Sequence, residues 1–213
     1  DVPVYNASHF LGFFSVFNND IIKDATLYKG DIPTIYDSRL SSVLDIKTLD
    51  EIPYRFNMQG GIGLLTSRLT LNMPFNKGKS ALLLGGRITY GGILACNLIE
   101  NLKGNSMYFY DFNAKVMHTF NEKNRLFVST YLGDDILGVE SLMTITYGNK
   151  NFTTRWNHIF NDKLTSNLSV FYTKYRYQIG IQMEPYDFSI TAGIEDVAAK
   201  YDFTFMMNDN ITS

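Results

Sequence analysis

Cysteine is nearly absent from this chain. Cys96 stands alone among 213 residues, which excludes an internal disulfide framework, and no Cys/His cluster has the spacing of metal ligands. Long hydrophobic runs are missing too. The best, ALLLGGRI at 81–88, is cut by Gly85, Gly86 and Arg87, well short of the roughly 18 apolar residues of a membrane-crossing helix. Charge of one sign is also lacking. The 19 Lys and Arg against 21 Asp and Glu leave a formal −2, so the balance alone gives no reason to expect nucleic acid or anionic lipid as a partner. The start at Asp1, without a basic stretch followed by an apolar one, reads as that of a mature protein or an excised piece. No Ser/His/Asp set or pair of carboxylates can be assembled, so the reading is of a non-enzyme without cofactor or metal.

What the chain has instead is aromatic residues, 14 Tyr and 16 Phe, with much Thr and Asn, a composition suited to strands. Residues 1–50 read as a small unit of short elements: a cap-like Asn18-Asn19-Asp20 and a turn through Ile21, Ile22 and Lys23, then strands at 25–28 and 41–47. From Tyr54 onward the runs are long and alternate. Tyr108, Tyr110, Phe112, Ala114, Val116, His118 and Phe120 oppose a mostly polar Phe109, Asp111, Asn113, Lys115, Met117 and Thr119. Leu69, Leu71 and Met73 likewise oppose Arg68, Thr70 and Asn72, and Phe152, Trp156, His158 and Phe160 oppose Thr153, Arg155 and Asn157. Between 188 and 205 the apolar phase slips near Glu195-Asp196, which predicts a bulge, and 168–179 has no assignable phase.

Polar clusters at 76–79, 121–124, 161–163 and 208–210 mark tight turns at one end. GGILACNLIENLKGNS, GDDILGVES and IQMEPYD read as longer, irregular connections at the other. Strands this long exceed the usual length of about 5–6 residues. Polar on one face and apolar with aromatic ends on the other, they predict an all-β membrane protein, a transmembrane antiparallel β-barrel. A soluble β ligand-binding protein is the disfavoured competitor, because its strands would be shorter.

VPVYNASHFLGFFSVFNNDIIKDATLYKG followed by IPTIYDSRLSSVLDI resembles the end of the plug domain of TonB-dependent outer-membrane receptors, in the form common in Bacteroidetes. GGIGLLTSRLTLNMPFNKGKSALLLGGRITY is similar to the first barrel hairpin of that family. The resemblance implies a barrel of about 22 strands around a small mixed α/β plug. Residues 1–50 would then be the C-terminal part of the plug and 51–213 the first seven to eight barrel strands, making the chain a fragment. It implies a bacterial outer-membrane location and, as partners, outer-membrane lipid and the TonB energy-coupling complex. A surface lipoprotein lid and other outer-membrane proteins are further partners of the family's kind. The implied function is surface binding of a nutrient (a glycan, a peptide or a metal chelate) and its import by energy-coupled plug movement. Asp31, Asp37 and Ser38 stand where the family usually has glycine. They motivate the alternative of a transport-inactive, receptor-like barrel serving as a structural subunit of an outer-membrane complex.

The resemblance also places the loop after a strand at 1–4 beneath the external cavity. It nominates Tyr5, Asn6, His9 and Phe10 as substrate-binding, with Phe13, Phe14 and Phe17 packing plug against barrel. Four N-x-S/T sequons, at Asn6, Asn151, Asn167 and Asn210, are expected by chance in this composition. Asp134-Asp135 offers far too few oxygens for calcium. Inward Arg68, Arg87 and Arg155 read either as a cationic wall for an acidic substrate or, more simply, as partners of plug and barrel acids. Cys96 reads as a buried thiol in a short helix.

Overall fold

The computed structural model describes residues 2–36, 42–140, 142–183, 185–208 and 211–212. Asp37 and Ser38, like the sequon residue Asn210, lie outside them. The N-terminal residues form two small hairpins: β1 (Ser8–His9) with β2 (Phe14–Ser15), and β3 (Ile22–Tyr28) with β4 (Val43–Thr48). Residues 2–4, expected as a strand, belong to none. The rest is one antiparallel meander. β5 (Asn57–Ile62), β6 (Thr66–Phe75) and β7 (Ser80–Thr89) lead through α1 (Gly91–Leu98) into β8 (Ser106–Asn121), β9 (Asn124–Val139), β10 (Met143–Asn161), β11 (Leu164–Met183), β12 (Tyr186–Asn208) and the short β13 (Ile211–Thr212). Each strand pairs only with its sequence neighbours, so the sheet runs from β5 to β13 and those two do not pair among the described residues. Among the described residues no helix is long and apolar enough to cross a membrane.

The alternation read from the sequence becomes two faces of opposite character. Cross-strand register aligns His118, Leu126, Trp156, Leu168 and Tyr201 in one row, and Ala114, Thr130, Phe152, Tyr172 and Val197 in another. This outer face is exposed: Phe112 retains 42%, Trp156 45% and Val197 75% of its accessible surface. The other, inner face carries Asp111, Lys115, Asp135, Asn149, Asn151 and Thr173, all buried. What buries them is the N-terminal unit. The sheet thus hides its polar face and exposes its apolar one, the reverse of a sheet in a water-soluble core.

A small apolar cluster sits where the N-terminal unit meets the wall, with Ile21 against Ala81, Leu83, Met117 and Phe127, and Leu49 and Ile52 alongside. Gly85 makes this possible, because a Cβ there would press on Ile21 Cγ2 at 3.2 Å and Asn18 Nδ2 at 3.4 Å.

Two expectations need correcting. The bulge near Glu195-Asp196 does not exist: β11 and β12 keep one unbroken register from Leu164↔Phe205 to Met183↔Tyr186. The phase slip is instead a change in which face is apolar. Beyond Glu195 the inner row is Leu137, Ile145, Ile179 and Ile190, while the outer row is Ile136, Thr146, Gln178 and Thr191. For the same reason, GDDILGVES and IQMEPYD are not irregular loops. Strands run through most of both, and within the long meander, among the described residues, 90–105 is the one long connection. There α1 places Cys96 in a buried position.

Gly148 tests this packing. A Cβ there would collide with Asp134 Oδ1 and with the backbone oxygen of Gly133, whereas Gly180 has nothing closer than Thr144 O at 4.0 Å. Gly148→Val should cost about 1–3 kcal/mol, read as a lowered thermal unfolding midpoint, while Gly180→Val should leave the midpoint near wild type.

Candidate functional site

The stretch Tyr5–Asn18 crosses the inner face from β12 to β6. Pro3 O accepts from Thr173 Oγ1 at 3.1 Å on β11, and Tyr5 donates its hydroxyl to Asp196 on β12. Asn6 O accepts from Asn149 Nδ2 at 2.8 Å, while the Asn6 carboxamide turns back to cap Ser8, with N–H and hydroxyl each 3.2 Å from Oδ1. Farther along, Ser15 O accepts from Arg87 Nη2 at 2.6 Å on β7, and Asn18 Nδ2 reaches Thr70 Oγ1 at 3.4 Å on β6.

The centre of this crossing is a tight hairpin tip. Phe10 and Leu11 adopt positive φ (49° and 57°) before Gly12 at 117°. L-residues resist this left-handed backbone, at roughly 1–2 kcal/mol each. In exchange, successive N–H groups turn toward the wall, an arrangement suited to anions. Phe10 N–H donates to Asp135 Oδ1 at 2.9 Å, and Leu11 N–H to the Tyr147 hydroxyl at 2.9 Å.

Beside it, His9 is 1% exposed. Its Nδ1 lies 2.6 Å from Asp135 Oδ2, and its Nε2 lies 3.4 Å from the Tyr131 hydroxyl and 3.6 Å from Asp111 Oδ2. The ring stacks on Phe109 with centroids 4.1 Å apart and planes 5° apart. Phe10 meets the same ring edge-on at 5.1 Å, and Arg87 lies 5.1 Å from its centroid while donating through Nε to Asp111 at 2.7 Å. Two buried carboxylates therefore face one guanidinium and one imidazole, and an imidazolium completes the charge balance. Burial alone would lower the His9 pKa. The hydrogen bond to Asp135 and the Asp111 carboxylate 3.6 Å away, with their charges, outweigh it and raise the value above 6.5.

A second set of contacts holds the end of the unit near the tight turns. Lys115 Nζ donates to Thr48 Oγ1 at 3.0 Å and Leu49 O at 2.7 Å, and Arg125 Nη2 donates to Asp50 O at 2.9 Å. Arg155 lies 4.0 Å from the Asp50 carboxylate and 4.4 Å above the Phe127 ring. Burial opposes the Asp50 charge, but the bond from Lys23 at 2.9 Å prevails and its pKa is lowered. Arg68 binds Asp20 at 2.9 Å. Arg68, Arg87 and Arg155 thus meet acids of the wall and the N-terminal unit, the simpler of the two readings offered for them.

Of the four nominated residues, Tyr5 and Asn6 remain half-buried, while His9 and Phe10 are buried against the wall. Phe13 is 86% exposed, so it does not pack the unit. Phe14 does, 5.5 Å from Phe109, together with the buried Val16 and Asn18. Sequence reasoning missed Phe109, Asp111, Tyr131, Asp135 and Tyr147 as a set. The one legible signal was Phe109 standing apolar in the polar phase of its strand. Asp134 and Asp135 point to opposite faces, and no metal-binding group of His, Cys, Asp and Glu occurs among the described residues. At Asp31 the backbone is left-handed (φ 46°), so Asp holds a conformation that glycine adopts more easily.

His9 has a raised folded-state pKa, so its contribution is complete below pH 6.5 and is lost as pH rises through the raised value. The thermal midpoint should therefore fall between pH 6 and pH 9 by more in wild type than in His9→Gln. His9→Ala, which leaves the buried Asp135 carboxylate without a cationic partner, should cost about 3–5 kcal/mol at pH 6. Comparison with family models, with curated proteins and with solved structures finds no match to the chain.

Proposed function

We propose that the sheet is part of the wall of a transmembrane β-barrel and that residues 1–50 are the C-terminal part of a plug in its lumen. The protein would act as a receptor and transporter of the TonB-dependent kind in a bacterial outer membrane. The observation that carries the reading is the inversion of the sheet, apolar outward and polar inward. In water an exposed apolar face of this breadth is a liability; in hydrocarbon it is the required surface, and a polar lumen is its normal companion. Aromatic residues bound the apolar band at both ends, with Trp156, Phe160, Tyr201 and Phe203 toward the tight turns and Tyr108, Tyr110 and Tyr172 toward the far side. In hydrocarbon the free edges of the sheet would need further strands to pair them.

Transport is favoured over a static scaffold by how the plug is held. Its contacts are chiefly hydrogen bonds and ion pairs across a polar surface, which water can replace as the plug moves, and the apolar contacts that would have to be broken form two small groups, one on Phe109 and one around Ile21. Asp31 keeps the glycine-like backbone, so that departure from the family pattern does not speak for a transport-inactive barrel. The substrate, a glycan, peptide or metal chelate, would meet Tyr5 and Asn6. His9 and Phe10 serve instead to anchor them.

The chain's single tryptophan, Trp156, lies in the outward aromatic row. Its fluorescence should be quenched by lipids brominated in the acyl chain and be insensitive to aqueous iodide. Quenching by iodide alone would remove the membrane reading. For the site, Tyr5→Ala should depress growth on one of three limiting nutrients (glycan, peptide or metal chelate) with the protein still assembled in the membrane. Unchanged growth on all three would exclude Tyr5.

A further inference from the structure

The outer face carries one arrangement that neither the apolar band nor the plug explains. Lys150 on β10 stands directly opposite Lys174 on β11, and Arg176 follows on the same face, opposite Gly148. Like charges placed directly across an antiparallel pair repel, so three cations on two adjacent strands call for a compensating anion. The protein supplies only part of one. Glu195 binds Lys174 at 2.7 Å and takes a hydrogen bond from Tyr172 at 3.0 Å. Asp134, the other nearby acid, takes the Tyr110 hydroxyl at 3.0 Å. Among the described residues Arg176 reaches the neutral Gln178, at 3.0 Å, and no carboxylate. Lys150 is exposed and has no carboxylate partner among the described residues.

Position identifies the missing anion. The row toward the tight turns is Phe152, Tyr172 and Val197; the rows on the far side are Thr146, Gln178 and Thr191, then Thr144, Gly180 and Ser189. The cations therefore sit on the border where the outer face changes from apolar to polar. A negatively charged headgroup meets its own acyl chains at the same border. The surface is flat, without walls to enclose a free ion, so a small anion would be held weakly, whereas a chain lying over Phe152 and Val197 would keep a tethered phosphate in place.

We propose that Lys150, Lys174 and Arg176 form a site for the phosphate of an anionic lipid, with Tyr172 and Phe152 beneath its first chain carbons. The site rests on the reading of the outer face as lipid-facing. It would fix the depth of β10 and β11 in the membrane and relieve the repulsion between the opposed lysines.

The test uses the full-length protein in mixed micelles containing phosphatidylcholine alone, or phosphatidylcholine with phosphatidylglycerol, or phosphatidylcholine with inorganic phosphate. Phosphatidylglycerol should raise the thermal midpoint of wild type, and inorganic phosphate should not. Lys150→Gln/Arg176→Gln, which leaves the Lys174–Glu195 pair intact, should lose more than half of that rise. Lys77→Gln/Lys123→Gln, an equal charge loss at the tight-turn end, should keep it. A rise retained in the first variant, lost equally in both, or reproduced by inorganic phosphate would overturn the site. Lipid quenching of Trp156 without any phosphatidylglycerol effect would overturn the site and leave the membrane reading standing; absence of lipid quenching would overturn both.

Discussion

Burying the polar face of a sheet is costly unless every charge on it finds a partner, and that requirement governs the arrangement of this protein. Asp111, Lys115 and Asp135 are all buried on the inner wall. An ion removed from water without compensation costs several kcal/mol. The N-terminal unit supplies that compensation through His9, the N–H of Phe10, and the carbonyls of Ser15, Leu49 and Asp50. Wall and N-terminal unit are therefore not two folds in contact. Each satisfies polar groups that the other leaves bare.

The contacts differ in kind along the interface. Around Phe109 they are enclosed and charge-balanced, and depend on an imidazole whose pKa burial lowers but the flanking carboxylates raise. Near the tight turns Lys115, Arg125 and Arg155 surround Phe127; Lys115 and Arg125 reach neutral oxygens of residues 48–50, and Arg155 faces the partly solvated Asp50 carboxylate at 4.0 Å. The first region is the harder to open without changing its protonation. The second can exchange its partners for water at lower cost. Loosening of the N-terminal unit would begin in the second region and keep the first as its anchor.

Along one strand the two faces can exchange their character without any change in the ladder. Along β12 the residues toward the tight turns put Tyr201 and Phe203 outward, while those beyond Glu195 put Ile190 and Ile194 inward. Nothing in the backbone changes at that point, since the ladder continues without a shift. A strand that passes from an apolar to an aqueous surround keeps its period of two but exchanges the character of its faces. A break in alternation is therefore ambiguous between a bulge and a boundary between media.

What the sequence by itself determined was local and periodic. The alternation over 108–120 and 152–160, the polar turns at 76–79, 121–124 and 161–163, and the short elements before residue 50 were all legible, because strand period and turn chemistry act over a few residues. Only the tertiary structure decided what lay across from what. That His9 would be spent on Asp135, that Phe10 would turn left-handed to reach the same carboxylate, and that Lys150 would oppose Lys174 all depend on register between segments up to 126 residues apart. Period places a side chain on a face. It says nothing of the partner that waits there, because pairing across the wall is set by sheet register and by the course of a chain that has no period of its own.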